Sequence, residues 1–193
     1  MPHKIPKVAL LDNHDSFIHN IVHEVAVCNC EWRLFLHDQT SVADILDYHP
    51  THIILGPGPG APQDAHVMMA LLNQIAHRVP ILGICLGHQA IGVHFGARLG
   101  HAEKICHGKP DIITHTNTDI FTDVPSPTQI GRYHSLHIHS LPESLVTLAK
   151  GSDGTIQAFK HHKLPIFGVQ FHPESILSNE LQPIWKYFLS LEA

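Results

Sequence analysis

Val79-Pro80-Ile81-Leu82-Gly83-Ile84-Cys85-Leu86-Gly87-His88-Gln89 holds a continuous apolar run from Val79 to Ile84, stops it on a cysteine, and then passes into residues that read as a helix. A strand that is apolar at every position is buried on both faces, as in a parallel sheet covered by helices. Cys85 stands at the junction with Gly83 two residues before it and Gly87 two after. Such an elbow lifts a side chain to the carboxyl end of an open α/β sheet, where ligands bind, and its glycines let neighbouring backbone pass without Cβ clashes. The N-terminus of the following helix favours a thiolate through its dipole and free N–H groups. Read alone, the same turn suits a buried structural cysteine equally well.

Working outward, Asp64 to His77 carries Val67, Met68, Leu71, Leu72 and Ile75 on one helix face. Before it, Val8 to Leu11 reads as a strand and Asp12 to Asp15 as a loop; Ser16 is placed to cap a helix bearing Phe17, Ile21, Val22 and Val25. Glu31 to Leu36 is a second strand, Val42 to Leu46 a short helix, and His52 to Leu55 a third strand stopped by Gly56-Pro57-Gly58-Pro59-Gly60. Strands alternating with helices imply parallel pairing with right-handed crossovers, hence an α/β, open, doubly wound sheet with helices on both faces. From Arg98 to Gln170 the pattern changes to short runs at Ile112 to Thr114, Leu145 to Ala149, Ile156 to Phe159 and Ile166 to Val169, an expected smaller antiparallel section. Leu181, Ile184, Trp185, Phe188 and Leu189 fit one face of a closing helix. No repeat or linker interrupts the chain, which is expected to form one domain over 1–193.

Composition narrows the function. Hydrophobic residues are 44% and charged residues 15% of the 193, the balance of a globular protein. The apolar runs are far shorter than the roughly 20 residues that span a bilayer, and Met1-Pro2-His3-Lys4 leads into a strand rather than a signal-peptide core, so no membrane association and a cytoplasmic location are expected. A formal charge of -5 without a Lys/Arg cluster argues against nucleic acid as a partner. Four cysteines, at 28, 30, 85 and 106, make no disulfide framework. The twenty histidines are unusual, and many are expected to titrate between pH 5 and 8. His137-Ile138-His139 and His161-His162 lack Cys or carboxylate partners at structural-zinc spacing, so neither a metal site nor a cofactor is expected.

A thiol nucleophile needs a base. Gly168-Val169-Gln170-Phe171-His172-Pro173-Glu174-Ser175 ends a strand on His172 and, two residues on, Glu174. Imidazole can take the thiol proton and return it to a leaving amine, while a carboxylate on its far nitrogen selects the tautomer. Gly56 to Gly60 is a rigid loop at the end of the third strand. An N–H there, with that of Leu86, could donate to an oxyanion, although a loop of this kind also serves simply to break a strand. It lacks the Lys of a phosphate-binding loop.

Taken together, Leu11 to Phe17, Gly56 to Gly60, Gly83 to Ala90, His107-Gly108-Lys109, Arg132 to Leu136 and Gly168 to Ser178 resemble the class I glutamine amidotransferases. Within that family the chain resembles the small, glutaminase subunit (component II) of anthranilate synthase and aminodeoxychorismate synthase, nearly end to end. The resemblance implies a catalytic triad of Cys85, His172 and Glu174. It also implies that Cys85 attacks the side-chain amide of L-glutamine, releases ammonia, and leaves a γ-glutamyl thioester for water to hydrolyse. By position, Gly56, Pro57, Gly58 and Leu86 would border the oxyanion site, Gln89 would touch the substrate, and Ser135 and Leu136 would meet its α-amino and α-carboxylate end. It further implies a partner, the larger chorismate-binding synthase subunit that takes up the ammonia. His107-Gly108-Lys109 and the Asp12 to Phe17 loop are candidates for that contact or for loop packing. Two departures stand out: His14 replaces a tyrosine of the family's opening motif, and Asn179-Glu180-Leu181 replaces its usual Glu-x-Gly turn.

Two other readings stay open on residues alone. One is a stand-alone γ-glutamyl hydrolase on the same fold, the other a catalytically silent subunit that only binds a partner. The product, anthranilate or aminodeoxychorismate, is set by the partner, with anthranilate slightly favoured.

Overall fold

The computed structural model describes residues 5–102, 108–178 and 180–192. Met1 to Lys4, Cys106, His107 and Asn179 lie outside them. Strands β1 (Lys7–Asp12), β2 (Glu31–Leu36), β3 (His52–Leu55) and β4 (Ile81–Ile84) alternate with helices α1 (Ile18–Ala26), α2 (Val42–Asp47), α3 (His66–Ile75) and α4 (Leu86–His94). Then come β5 (Arg98–His101), β6 (Lys109–His115), β7 (Thr128–Arg132), β8 (Leu136–Ser140), β9 (Leu145–Gly151), β10 (Ile156–His161), β11 (Ile166–Val169) and α5 (Gln182–Leu189). The main sheet runs β2-β1-β3-β4-β11-β10-β9-β6-β7, with β5 and β8 paired separately. Strands from β2 to β11 in that order pair in parallel, and those from β11 to β7 pair antiparallel.

Alternation along β1 shows how the sheet is covered. Val8 and Leu10 face a core built with Ile21 and Val25 of α1 and Ile184, Trp185 and Phe188 of α5. Ala9 and Leu11 face the opposite core, with Ile45 of α2, Met68, Leu71 and Leu72 of α3, and Ile91 of α4. Successive side chains of a strand point to opposite faces, so an uninterrupted apolar run requires helices on both. This is the expected doubly wound layer.

Three expectations are corrected. Ser16 does not cap α1: the helix starts at Ile18 behind Phe17, without a side-chain cap. Asp12 and Asp15 take the turn instead, Asp12 Oδ1 accepting from the Asp15 N–H at 3.1 Å and Asp15 Oδ1 from the Phe17 N–H at 2.8 Å. The first turn of the expected Asp64 to His77 helix is a separate 3-10 turn, Pro62–Asp64, and α3 runs only from His66 to Ile75. Finally, Ile166 to Val169 falls among the expected antiparallel strands, yet β11 pairs in parallel with β4, Val169 opposite Ile84, and antiparallel only with β10.

Register places the site. Leu55 is opposite Gly83, and Ile84 opposite Val169, so the residues that follow β3, β4 and β11 emerge side by side at the carboxyl edge. These are the glycine loop, Cys85 and the segment that leads to His172.

Candidate active site

Cys85 adopts φ 52°, ψ -98°, a left-handed conformation rare for a residue with a side chain. Its N–H donates to the Val169 carbonyl at 2.9 Å, which pins the elbow to β11. Crowding explains the glycines: a Cβ on Gly87 would stand 2.1 Å from the Leu55 carbonyl oxygen, and one on Gly83 2.5 Å from the Gly87 backbone. Helix α4 can therefore start in contact with β3 only if both positions lack side chains. Leu86 occupies its first turn, where an amide has no partner within the helix.

His172 lies just past the end of β11. His172 is buried, its main-chain N–H donating to the Gly131 carbonyl at 3.2 Å and its ring flanked by Phe17 and Tyr133, with centroids at 5.2 and 5.0 Å. Its Nδ1 lies 2.7 Å from Glu174 Oε1, and neither side chain is appreciably exposed. A carboxylate can only accept, so Nδ1 carries the proton and Nε2 is left for the sulfur. Burial alone would lower the basicity of His172. The charge and hydrogen bond of Cys85, together with Glu174, override it and hold the imidazole well above its ordinary value of 6.5. Thiol, imidazole and carboxylate thus stand in the order that nucleophilic acyl chemistry requires.

The glycine loop closes one side. A Cβ on Gly58 would fall 2.5 Å from Asn13 Cβ and 3.2 Å from the Leu86 side chain, so this stretch lies directly against the elbow. The Gly56 N–H is already donated to the Leu11 carbonyl at 2.9 Å, and Pro57 and Pro59 have none. Gly58 is therefore the loop residue that both keeps an N–H and packs against Leu86 of the elbow. On the opposite side, Gln89 is buried and its Nε2 donates to the Leu136 carbonyl at 3.1 Å and to Gln170 Oε1 at 3.2 Å. Ser135 is exposed in the connection between β7 and β8, and Leu136 is the first residue of β8.

Of the sequence-predicted residues, Gly56, Gly58, Cys85, Leu86, His172 and Glu174 follow adjacent strands at one edge of the main sheet, and Gln89 reaches Leu136 of the separate β5–β8 pair. Sequence reasoning gave no role at the thiol to Phe17, Tyr133 or Gln170, placing Phe17 only in the loop offered for partner contact or packing. The last had a signal: Gln170 and His172 are two residues apart at a strand end, the spacing that puts side chains on one face. Gly108 precedes β6, where a Cβ would stand 3.7 Å from the Tyr133 ring, and Lys109 opens β6 opposite Arg132, while His107 is outside the described residues. Ile176, two residues past Glu174, is 93% exposed. His14, the departure from the family motif, pairs with Asp38 at 2.9 Å on the surface. With His37 they form, among the described residues, a group whose ligand atoms lie within 4.8 Å of one another.

An elbow cysteine on a doubly wound sheet, paired with a buried His–Glu dyad from the adjacent parallel strand, defines a class of thiol-dependent amide-cleaving enzymes. Residues 9–190 match the family Glutamine amidotransferase class-I, and the chain belongs to that family. It is 42% identical to the bifunctional protein TrpGD of Thermotoga maritima over 97% of its own length, spanning 33% of that longer protein. It is 37% identical to aminodeoxychorismate synthase component 2 of Klebsiella aerogenes, covering 95% of this chain and 99% of that one. Identity to anthranilate synthase component 2 of Methanocaldococcus jannaschii is 40%, over 91% and 88% of the two chains. A crystal structure from Thermoplasma acidophilum, described as that of a GMP synthase subunit, has the same fold, with a TM-score of 0.87 at 24% identity over 97% of this chain and 94% of that one.

Proposed function

We propose that Cys85, His172 and Glu174 are the catalytic triad of a glutaminase whose ammonia serves a chorismate-aminating synthase subunit. The observation that carries this reading is the 2.7 Å His172–Glu174 pair at the end of the strand beside the Cys85 elbow. The thiolate attacks the side-chain carbonyl carbon of free L-glutamine. The N–H groups of Gly58 and Leu86 receive the oxyanion, and His172 protonates the departing ammonia. His172 then takes a proton from water, which attacks the γ-glutamyl thioester and releases glutamate. Gly56 and Pro57 shape the wall of this site rather than donate to it.

Both Nε2 protons of Gln89 are committed, to Leu136 and Gln170, so its Oε1 is the group left to accept from the substrate's α-ammonium. The backbone N–H groups of Ser135 and Leu136 take the α-carboxylate. Several relatives are named component 2 of a synthase, which supports a heteromer with a larger chorismate-binding subunit. The anthranilate enzyme is the favoured member, and the cytoplasm the place of action. Among the described residues no helix is long and apolar enough to cross a membrane.

The test is glutamate release from glutamine by wild type and Cys85→Ser, each alone and with chorismate plus a candidate synthase partner. Hydrolysis by wild type and none by the variant is expected, and the aminated product names the pathway. Equal rates for the two proteins would remove Cys85 from the mechanism. No hydrolysis under any condition would leave a subunit that only binds.

A further inference from the structure

Gln170 is fully buried between Gln89 and the elbow, and its Nε2 lies 3.7 Å from Cys85 Sγ. A carboxamide can present either end to a neighbour, so the chemistry at the sulfur depends on what fixes its orientation. Here the orientation is set by the Leu136 carbonyl, which cannot turn round, and an anchored chain of donors holds that carbonyl in place. The Arg132 guanidinium is gripped through Nη1 by Asp111 Oδ2 at 2.9 Å and Asp153 Oδ2 at 2.8 Å. Its Nε–H donates to His134 Nε2 at 3.4 Å, which makes that nitrogen an acceptor and leaves the ring proton on Nδ1. Nδ1 in turn donates to the Leu136 carbonyl at 2.8 Å. A carbonyl accepts only, so Gln89 must aim its nitrogen there as well, and its second proton goes to Gln170 Oε1. With its oxygen thus occupied, Gln170 presents its N–H to the sulfur.

We propose that Gln170 is a fourth catalytic residue, a fixed hydrogen-bond donor to the Cys85 thiolate, and that Gln89, Leu136, His134 and Arg132 are the positioning groups that hold its direction. This rests on the reading of Cys85 as nucleophile. Hydrogen bonds to a charged atom are stronger than neutral ones, and with Cys85 only 8% exposed little solvent can replace one that is lost. Consistent with the chain of donors, burial first, and the Arg132 charge second, push His134 down to about 4, so the ring stays neutral at pH 7.

The experiment compares Gln170→Met and Gln170→Glu with wild type in the full chain. Cys85 is alkylated by iodoacetamide at pH 7 and followed by peptide mass, which separates it from Cys28, Cys30 and Cys106. In parallel, kcat and KM for glutamine are measured on the complex with the synthase partner. The expected result is that Met slows both alkylation and kcat about tenfold, the loss of one charge-assisted bond, with KM within about twofold. Glu should slow both further, because a carboxylate then faces the sulfur. Alkylation at the wild-type rate in both variants overturns the proposal, as does a rise in KM with kcat intact, which would make Gln170 a pocket wall. If Met misfolds, the near-isosteric Glu variant gives the same reading. Should wild type hydrolyse no glutamine, the glutaminase reading fails by itself, and the alkylation rates still decide whether Gln170 serves the sulfur.

Discussion

The carboxylate of Glu174 makes one contact that matters and leaves its other oxygen idle. Oε1 meets His172 at 2.7 Å, while Oε2 is buried and finds no hydrogen-bond partner among the described residues. A buried carboxylate with a half-used head is costly to keep, and its compensation is the polarised imidazole. Glu174→Gln should therefore lower kcat roughly a hundredfold or more while leaving KM nearly unchanged. It should also move the His172 titration midpoint downward in an NMR titration, since Glu174 contributes to holding the imidazole up. An unchanged midpoint would mean that the contact orients nothing.

At the scale of the element, the junction of β4 and α4 is set by what it cannot contain. Gly87→Ala would drive a methyl group into the Leu55 carbonyl, a rigid neighbour, and should destabilise the fold by about 3 kcal/mol or more. Urea unfolding measures this; a loss below about 1 kcal/mol would show that α4 can lift away from β3. This crowding is why the elbow is legible in sequence, since Gly83 and Gly87 mark a backbone contact that no other residue allows. Strands β2, β3 and β11 were legible to the residue for a similar reason, each being a short apolar or aromatic run between clear turn signals. Strands β5, β7 and β8 were not, because Arg98–His101 and Thr128–Arg132 hold glycines and few apolar residues, and their order comes from pairing with distant partners. Partner identity was hidden too. Nothing in Ile166 to Val169 says that it inserts beside β4, although the motif after it revealed the site. The proposed triad was readable as three spaced residues, whereas Gln170 gained its proposed role only when the fold laid it against the sulfur.

Across the whole molecule, the histidines do not behave as one titrating population. Burial pushes His88 down to about 3 and His134 down to about 4, so these two stay neutral well below the range expected for the twenty. Their sign is that of a depressed base. Both states are neutral above pH 6.5, and as pH falls below it the unfolded chain gains protons that the folded one refuses. Each should cost about 1.4 kcal/mol of stability per pH unit once well below 6.5. His172, shifted the other way, contributes fully below 6.5 and loses its share only as pH rises through its raised value, so it does not offset the acid slope. Urea midpoints at pH 6.5, 5.5 and 5.0 should fall steadily, and a flat series would sink this account. His134→Gln should flatten part of the slope.

The position of β11 has a temporal meaning. It is the last strand among the described residues but sits in the middle of the sheet, between β4 and β10. Until it is made, β4 carries Cys85 on an open margin, ready to pair with any other extended segment. A chain emerging from the ribosome therefore holds Cys85 long before Ile166 to Val169 and His172 arrive, and the step that seals the sheet is the same step that brings the proposed triad together. On the proposed mechanism, unfinished chains carry the thiol but not the reaction, and ammonia production begins only when the architecture is closed.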